Sequence, residues 1–240
     1  MGNTYDLADK FAIVTGGAKG IGRAITELLL ANGCAVWIWD ANRADVPRAR
    51  SVVVDITRSD DISRAVGELA KDQRVDILVN CAGYLGRATS FNDHAKGDWR
   101  RIVDINLAGT MQVTQAVLPR MLHQRSGRII NIGSLAGKEG LPGIAAYSAA
   151  SAGVIAFTKA LSREIVSENI FVNCVAPGPI DTDMIRNLGH DVVDRMVQDS
   201  PMHRLGRLDE VAHLVAWLCT EASRFNTGAV FDMSGGRARY

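Results

Sequence analysis

Short apolar runs alternate with amphipathic stretches along the chain. The runs are almost continuously apolar, as in parallel strands that are buried on both faces. We predict seven strands, at residues 11–14, 34–39, 51–54, 76–80, 128–133, 170–175 and 229–232. Strands that alternate with helices predict an α/β fold, with one doubly wound, Rossmann-like parallel sheet of about seven strands.

Helical spacing of apolar residues marks the stretches between the strands. The first predicted helix begins near Ile21 and ends before Gly33, and further helices are predicted at residues 99–122, 146–166 and 209–218. Pro119 is expected to bend or loosen the last turns of the second helix. Residues 41–50 are fewer than a parallel crossover usually needs, so the helix there is expected to be vestigial or absent.

Composition narrows the function classes. The 240 residues contain 27 Lys and Arg against 26 Asp and Glu, a balance that argues against a nucleic-acid binder acting by bulk positive charge. No linker or repeat divides the chain, so residues 1–240 are predicted to form a single domain. No apolar run is long enough to span a membrane, and the start lacks an apolar leader, so we expect a cytoplasmic protein. The four cysteines and five histidines show no metal-ligand spacing, and no metal site is predicted.

A glycine-rich turn lies between the first strand and the first helix. Its sequence, TGGAKGIG, covers residues 15–22. Glycines allow a pyrophosphate to approach the backbone, and the N-terminus of the following helix supplies amide donors. The candidate cofactor-binding residues in the turn are Gly16, Lys19, Gly20, Ile21 and Gly22.

Asp40 ends the second predicted strand. An acid at this place can accept hydrogen bonds from both ribose hydroxyls of an adenosine, and its charge repels a 2′-phosphate. Lys19 is the residue that could favour a phosphate instead. Because the Asp40 carboxylate would sit against the 2′ position itself, the sequence favours NAD over NADP.

The spacing TGxxxGxG resembles the short-chain dehydrogenase/reductase family, and the similarity runs from about Lys10 to Gly236. Supporting segments are Asn80-Cys81-Ala82-Gly83, Asp55-Ile56, the stretch Pro177-Gly178-Pro179-Ile180-Asp181-Thr182, and Ser234-Gly235-Gly236. The resemblance implies further cofactor contacts from Asp55, Ile56, Asn80, Ala82, Gly83, Tyr147, Pro177, Gly178, Ile180 and Thr182.

The same resemblance implies a catalytic set. Asn106, Ser134 and Tyr147 match the family's catalytic asparagine, serine and tyrosine. Ser151 stands where the family motif Tyr-x-x-x-Lys has its lysine. That lysine contacts the nicotinamide ribose and lowers the tyrosine pKa in the family, so its absence here predicts impaired activity.

We therefore expect an NAD-dependent oxidoreductase that interconverts a secondary alcohol and a ketone, such as a sugar acid, a polyol or a hydroxy acid. One alternative is a catalytically weak NAD-binding scaffold or redox sensor; another is an active enzyme in which Ser151 is an introduced substitution. The alternative substrate is a 3-oxoacyl thioester. The candidate substrate contacts are Tyr84, Leu85, Arg87, Leu141, Met184, Ile185 and Arg186.

The expected partners are a small-molecule substrate and further copies of the chain, with no nucleic acid and no membrane. The helices at residues 99–122 and 146–166 match those that form the four-helix dimer contact in the family, and a homotetramer is the expected assembly. The tail, residues 237–240, is expected to pack on a neighbouring subunit, where Arg239 would approach the substrate.

Overall fold

The structure is a computed structural model that describes residues 4–95 and 97–240. Seven parallel strands form one sheet in the order β3-β2-β1-β4-β5-β6-β7. They are β1 (Phe11–Thr15), β2 (Ala35–Asp40), β3 (Arg50–Val53), β4 (Ile77–Asn80), β5 (Gly127–Ile132), β6 (Ile170–Pro177) and β7 (Val230–Met233). The Rossmann-like doubly wound sheet expected from the sequence is confirmed.

Helices cover both faces of the sheet. They are α1 (Gly20–Ala31), α2 (Ser59–Gly67), α3 (Asp98–Val103), α4 (Thr110–Gln124), α5 (Leu135–Glu139), α6 (Ala145–Ile165), α7 (Asp183–Arg186), α8 (His190–Gln198) and α9 (Leu208–Leu218). One face packs against α1 and α9, and the other against α2, α4 and α6.

Two apolar cores result from the alternation of side chains along the strands. In β1, Ala12 and Val14 belong to the core under α1 and α9, whereas Ile13 belongs to the core under α4 and α6. All three side chains are fully buried. Burial on both faces explains why the strands read as continuous apolar runs in the sequence.

The helix predicted at residues 99–122 has a more complex form. A π-helical segment, Asp104–Gly109, separates α3 from α4. Pro119 does not end α4, which continues to Gln124. The hydrophobic pattern alone does not identify α2, because Ile62 and Ala65 are its only buried residues.

The connection from β2 to β3 is short, as expected. Residues 41–49, all of which the structure describes, contain turns but no helix. Val46 is buried and anchors this connection to the core.

The short strand β3 forms one edge of the sheet. Val53 at its end is 49% exposed. Arg64 of α2 donates a hydrogen bond to the Val53 carbonyl at 2.9 Å, and Arg50 forms an ion pair with Glu68 at 2.7 Å. Helix α2 is thereby fastened to the open edge.

Candidate active site

The carboxyl ends of β1 and β4 lie side by side, and the connections that leave them go to opposite faces of the sheet. Such a switch point opens a crevice in which ligands of doubly wound sheets bind. The buried Thr15 hydroxyl accepts hydrogen bonds from the backbone of Cys81 and Ala82, at 3.0 and 3.1 Å. Thr15 therefore ties the two connections together at the base of the crevice, a role that the sequence analysis did not assign to it.

The glycine-rich turn forms one wall of the crevice. Gly16 has a φ of +68°, and a Cβ there would lie 2.7 Å from the Ala82 Cα. A Cβ on Gly22 would lie 2.2 Å from the Gly16 carbonyl oxygen. Only glycines allow this close approach. Binding of a pyrophosphate by this turn at the start of α1 stays a prediction.

Asp40 lies at the end of β2, next to this turn. One carboxylate oxygen accepts from the Ala18 backbone at 3.1 Å, and the other accepts from the Asn42 backbone at 2.9 Å. The carboxylate is thus fixed against the glycine-rich turn. Each oxygen keeps a further lone pair with which to accept a bond from a ribose hydroxyl.

A cavity of about 340 Å³ lies beyond Asp40. Its lining includes Ala41, Asp55, Thr57, Arg100, Arg101, Asp104 and Ile105. Hydrogen bonds from the Thr57 hydroxyl and backbone lower the pKa of Asp55, so this carboxyl stays ionised. Ile56 is buried and packs against Gly109. A Cβ added to Gly109 would lie 2.6 Å from the Ile56 Cδ1.

The side chain of Asn80 is buried beneath the crevice. Its side chain is 3% exposed and donates to Thr114 at 3.0 Å and to Asn131 at 2.8 Å. Asn131 in turn donates to Thr158 of α6 at 2.9 Å. This polar row joins α4, β4, β5 and α6 beneath the crevice. The Asn80 side chain therefore helps to hold these elements together, and a cofactor contact from Asn80 stays a prediction.

Asn106 occupies the π-helical segment. Its amide donates to the Tyr84 carbonyl at 2.7 Å and accepts from the Tyr84 backbone N–H at 3.1 Å. A Cβ on Gly83 would lie 3.0 Å from the Asn106 Oδ1. The asparagine therefore holds the strand-end loop of Gly83 and Tyr84 in place, which is in keeping with the frequent occurrence of π segments at functional sites.

Three hydroxyls meet on the opposite wall of the crevice. Tyr147 lies in the first turn of α6, and Ser134 is the N-cap of α5. The Tyr147 hydroxyl interacts with the hydroxyls of Ser134 and Ser151, and Ser151 is 4% exposed. Since the Ala136 backbone N–H donates to the Ser134 oxygen at 3.1 Å, the serine hydrogen remains free to be donated.

Burial sets the pKa of Tyr147. It raises this pKa above the ordinary value, and the hydrogen bonds from Ser134 and Ser151 offset part of the increase. The nearby Cys81 does not add a charge, because burial raises the pKa of its thiol to about 12 and the thiol is neutral at pH 7. With its pKa raised above the ordinary value, Tyr147 is protonated at neutral pH.

The loop after β6 closes the crevice from the side of α1. Pro177 ends β6, and the Gly178 backbone N–H donates to the Met233 carbonyl at 3.1 Å. Ile180 is buried, and Thr182 caps α7 by accepting from the Ile185 backbone at 3.3 Å. A Cβ on Gly20 would lie 3.7 Å from Thr182, which places this threonine beside the glycine-rich turn.

The candidate substrate residues differ in their availability. Arg186 is engaged by Asp181 through two hydrogen bonds of 2.5 and 2.7 Å. Tyr84 is 39% exposed and has the Arg101 guanidinium 4.9 Å above its ring. Met184 is 42% exposed. In the part of the chain that the structure describes, Arg87 is exposed and forms no ion pair, so it is the arginine better placed to meet an anionic group.

The remaining three substrate candidates, Leu85, Leu141 and Ile185, are partly buried. The Leu141 backbone donates to Ser148 of α6 at 3.1 Å, which places its loop beside the first turn of that helix. Across the described residues, no cluster of His, Cys, Asp or Glu could hold a metal ion, and no helix is long and apolar enough to cross a membrane.

Comparison with known proteins identifies the family. Residues 16–238 match a family model described as "Enoyl-(Acyl carrier protein) reductase". The chain is also 38% identical over 242 residues to the 2-dehydro-3-deoxy-L-rhamnonate dehydrogenase (NAD(+)) of Sphingomonas sp. strain SKA58, with 97% of each protein covered.

The chain belongs to the short-chain dehydrogenase/reductase family. It is thus an oxidoreductase of the class that acts on CH–OH and keto groups.

Other proteins similar to this short-chain dehydrogenase/reductase are named for different substrates. The 3-oxoacyl-(acyl-carrier-protein) reductase of Chlamydia trachomatis serovar D is 38% identical over 245 residues, covering 97% of this chain and 98% of that protein. Among solved structures, the ligand-free aldohexose dehydrogenase of Thermoplasma acidophilum is 28% identical with a TM-score of 0.93, covering 99% and 97% of the two chains.

Proposed function

We propose that this short-chain dehydrogenase/reductase is an NAD-dependent enzyme that interconverts a secondary alcohol and a ketone. The observation that carries the proposal is that the Ser134 and Tyr147 hydroxyls interact in the same crevice that the glycine-rich turn lines. A proton donor or acceptor and a dinucleotide cradle in one crevice are what a hydride-transfer enzyme requires.

Asp40 supports NAD as the cofactor. Its carboxylate, held by the Ala18 and Asn42 backbones, is placed to accept from ribose hydroxyls and to repel a 2′-phosphate. The missing Cβ atoms of Gly16 and Gly22 leave a cradle that fits a pyrophosphate. The name of the Sphingomonas relative also specifies NAD(+).

Each catalytic residue has a distinct proposed task. Tyr147 takes the hydroxyl proton of the alcohol as general base, or returns it to a ketone oxygen as general acid. Ser134 donates its free hydrogen to that same oxygen and so fixes its position. A bound nicotinamide ring supplies the hydride acceptor. Asn106 holds the loop of Gly83 and Tyr84 in place.

Ser151 takes the place of the family lysine in this proposal. Its hydroxyl interacts with Tyr147 but carries no charge, and the pKa of Tyr147 stays above its ordinary value. The enzyme therefore starts ketone reduction with its acid already protonated. Alcohol oxidation starts from the minor, ionised form and is slow at neutral pH.

The proposed substrate is a hydroxy acid or sugar acid. The exposed, unpaired Arg87 among the described residues supports an anionic substrate, and the Sphingomonas relative is named for a deoxy sugar acid. A 3-oxoacyl thioester is the second candidate, because the chlamydial relative is named for that class.

The experiment is a turnover assay on a panel of sugar acids, hydroxy acids, polyols and 3-hydroxyacyl thioesters at pH 7 and pH 10. We expect NADH formation, faster at pH 10, with NAD preferred over NADP. Binding of NAD with no turnover of any substrate at either pH would favour the scaffold alternative.

A separate binding titration compares the wild-type protein with the variant Asp40→Ala. The wild-type protein is expected to bind NAD(H) at least about tenfold more tightly than NADP(H), a difference of about 1.4 kcal/mol. The variant loses the repulsion of the 2′-phosphate, so the gap shrinks, as measured by quenching of tryptophan fluorescence. Equal affinities of the wild-type protein for the two cofactors would remove Asp40 from the proposed site.

A homotetramer is the proposed assembly. Apolar side chains on α3, on α4 and beyond the end of α6 are partly exposed in the single chain; they are Trp99, Met111, Leu122 and Val166. Their burial between subunits would stabilise the assembly. Light scattering at the mass of a single chain would contradict it.

A further inference from the structure

The short helix α5 is fastened at both ends. At its start, Ser134 caps the helix by accepting from the Ala136 backbone. At its end, Lys138 lies 3.0 Å from the Asp232 carboxylate, and Glu139 accepts from the Arg239 backbone at 3.1 Å. The second pair of contacts comes from the C-terminal part of the chain, which begins at β7.

The C-terminal segment has a defined shape where it meets α5. Ser234 is 3% exposed; its hydroxyl donates to one Asp232 oxygen at 2.6 Å and accepts from the Ala238 backbone at 2.9 Å. The other Asp232 oxygen binds Lys138. The Tyr240 ring then lies with its centroid 5.6 Å from the Lys138 Nζ. We name the contacts of Lys138 and Glu139 with residues 232–240 the tail clamp.

In the ion pair at the centre of the tail clamp, the lysine side chain is mostly covered and the aspartate is partly open to water. The side chains of Lys138 and Asp232 are 12% and 32% exposed. By contrast, the ion pair of Arg125 and Glu168 has side chains that are 71% and 33% exposed. The two acids are exposed to a similar degree, so the pairs differ in the covering of the cation and in length, 3.0 Å against 3.6 Å. The shorter pair with the covered lysine is screened less by water and salt.

Helix α5 has no freedom to move toward the catalytic tyrosine. A Cβ on Gly137 would lie 2.6 Å from the Ser151 carbonyl carbon and 2.6 Å from the Ala152 nitrogen. The helix is therefore already in backbone contact with α6 at Gly137, and it cannot move closer to α6 there. Outward movement would carry Ser134, its N-cap, away from Tyr147.

We propose that Lys138 is a positioning residue, and that the tail clamp holds α5 against α6 so that the Ser134 hydroxyl stays within reach of Tyr147. This inference rests on the proposed function of Ser134 and Tyr147. Arg239 and Tyr240 thus contact the α5 of their own chain. Packing of residues 237–240 on a neighbouring subunit stays a prediction.

The first test replaces Lys138 with methionine, which keeps the length of the side chain and removes its charge. We expect kcat to fall about tenfold, while the Kd of NAD(H) changes less than twofold because the cofactor crevice is untouched. Lys138→Arg is expected to restore most of the rate. The control is Arg125→Met, which removes the exposed ion pair with Glu168 and is expected to leave kcat unchanged.

A double-mutant cycle separates positioning from a general loss of stability. If Lys138 acts through Ser134, then Lys138→Met causes no further loss of kcat in a Ser134→Ala background. An equal loss in both backgrounds, or an equal loss in Arg125→Met, would overturn the proposal. Circular dichroism melting shows whether each variant is folded at the assay temperature.

Nuclear magnetic resonance of tyrosine labelled with ¹³C at the ζ carbon provides a readout that needs no turnover. The Tyr147 signal is assigned by its loss in Tyr147→Phe, and its chemical shift reports the hydrogen bonds of the hydroxyl. We expect the signal to move in Lys138→Met and to stay in Arg125→Met. An unmoved signal in folded Lys138→Met would overturn the tail clamp, whereas the absence of turnover with the whole substrate panel would overturn only the proposed function.

Discussion

Replacing Ser151 with lysine is expected to raise the rate of alcohol oxidation at pH 7 by one to several powers of ten. Ser151 and Tyr147 lie one helical turn apart, and their side chains meet. An unperturbed tyrosine, with a pKa near 10, is about 0.1% ionised at pH 7, and burial lowers that fraction further for Tyr147. A nearby ammonium group favours the ionised form, and each pKa unit gained is worth about 1.36 kcal/mol.

The rate of alcohol oxidation is expected to increase with pH. Ionised Tyr147 is the base in oxidation, so the wild-type rate rises from pH 7 toward pH 10, and Ser151→Lys moves this rise to lower pH. Reduction uses the protonated phenol and is expected to change little over the same range in the wild-type protein. Initial rates across this pH range, in both directions, measure the two profiles.

Two variants serve as controls for this result. Ala149→Lys adds the same charge to an exposed position of α6 and is expected to leave the profile in place. Adding Tyr147→Phe to Ser151→Lys is expected to abolish the gain. A folded Ser151→Lys protein with an unchanged rate and profile, or a wild-type protein already fast at pH 7, would contradict the role given to this position.

Replacing Gly22 with alanine is expected to weaken NAD(H) binding at least about a hundredfold, or about 2.7 kcal/mol. The added Cβ would lie 2.2 Å from the Gly16 carbonyl oxygen, so the backbone of the glycine-rich turn must shift. Overpacking of this kind also lowers the free energy of unfolding, by about 1–3 kcal/mol. Fluorescence titration and thermal melting measure the two effects separately.

Gly67→Ala is the matched control. Nothing lies within 4 Å of a Cβ added at Gly67, the last residue of α2. Because alanine favours helix more than glycine does, stability is expected to stay the same or rise slightly. Tight NAD(H) binding by Gly22→Ala would show that the turn does not hold the pyrophosphate.

The sequence predicts the sheet well because its signal is local. A strand such as β1 is buried on both faces, and each of its residues is apolar or, like Thr15, hydrogen-bonded. The short connection before β3 can also be predicted from the sequence, since a chain of about ten residues lacks room for a full helix. The candidate catalytic and cofactor residues gather at the carboxyl ends of the strands, where a parallel sheet requires them to be.

Other features depend on contacts that no local pattern records. Helix α2 is mostly polar, so its apolar spacing is too sparse to identify. Lys138 and Asp232 are 94 positions apart, and only the folded chain brings them together. The direction of the Asn80 side chain is set by its hydrogen bonds to Thr114 and Asn131, which are 34 and 51 positions further along the sequence.

The fastening of α2 to β3 has a consequence for how the protein behaves in concentrated solution. An edge strand offers free backbone groups on which strands of other molecules can assemble into aggregates. Here the strand is four residues long, and the Arg64 side chain occupies the Val53 carbonyl. Arg50, beside Glu68, adds charge to the same margin. These features make the margin beside the exposed Val53 a poorer template for strand addition than a long, uncharged edge would be.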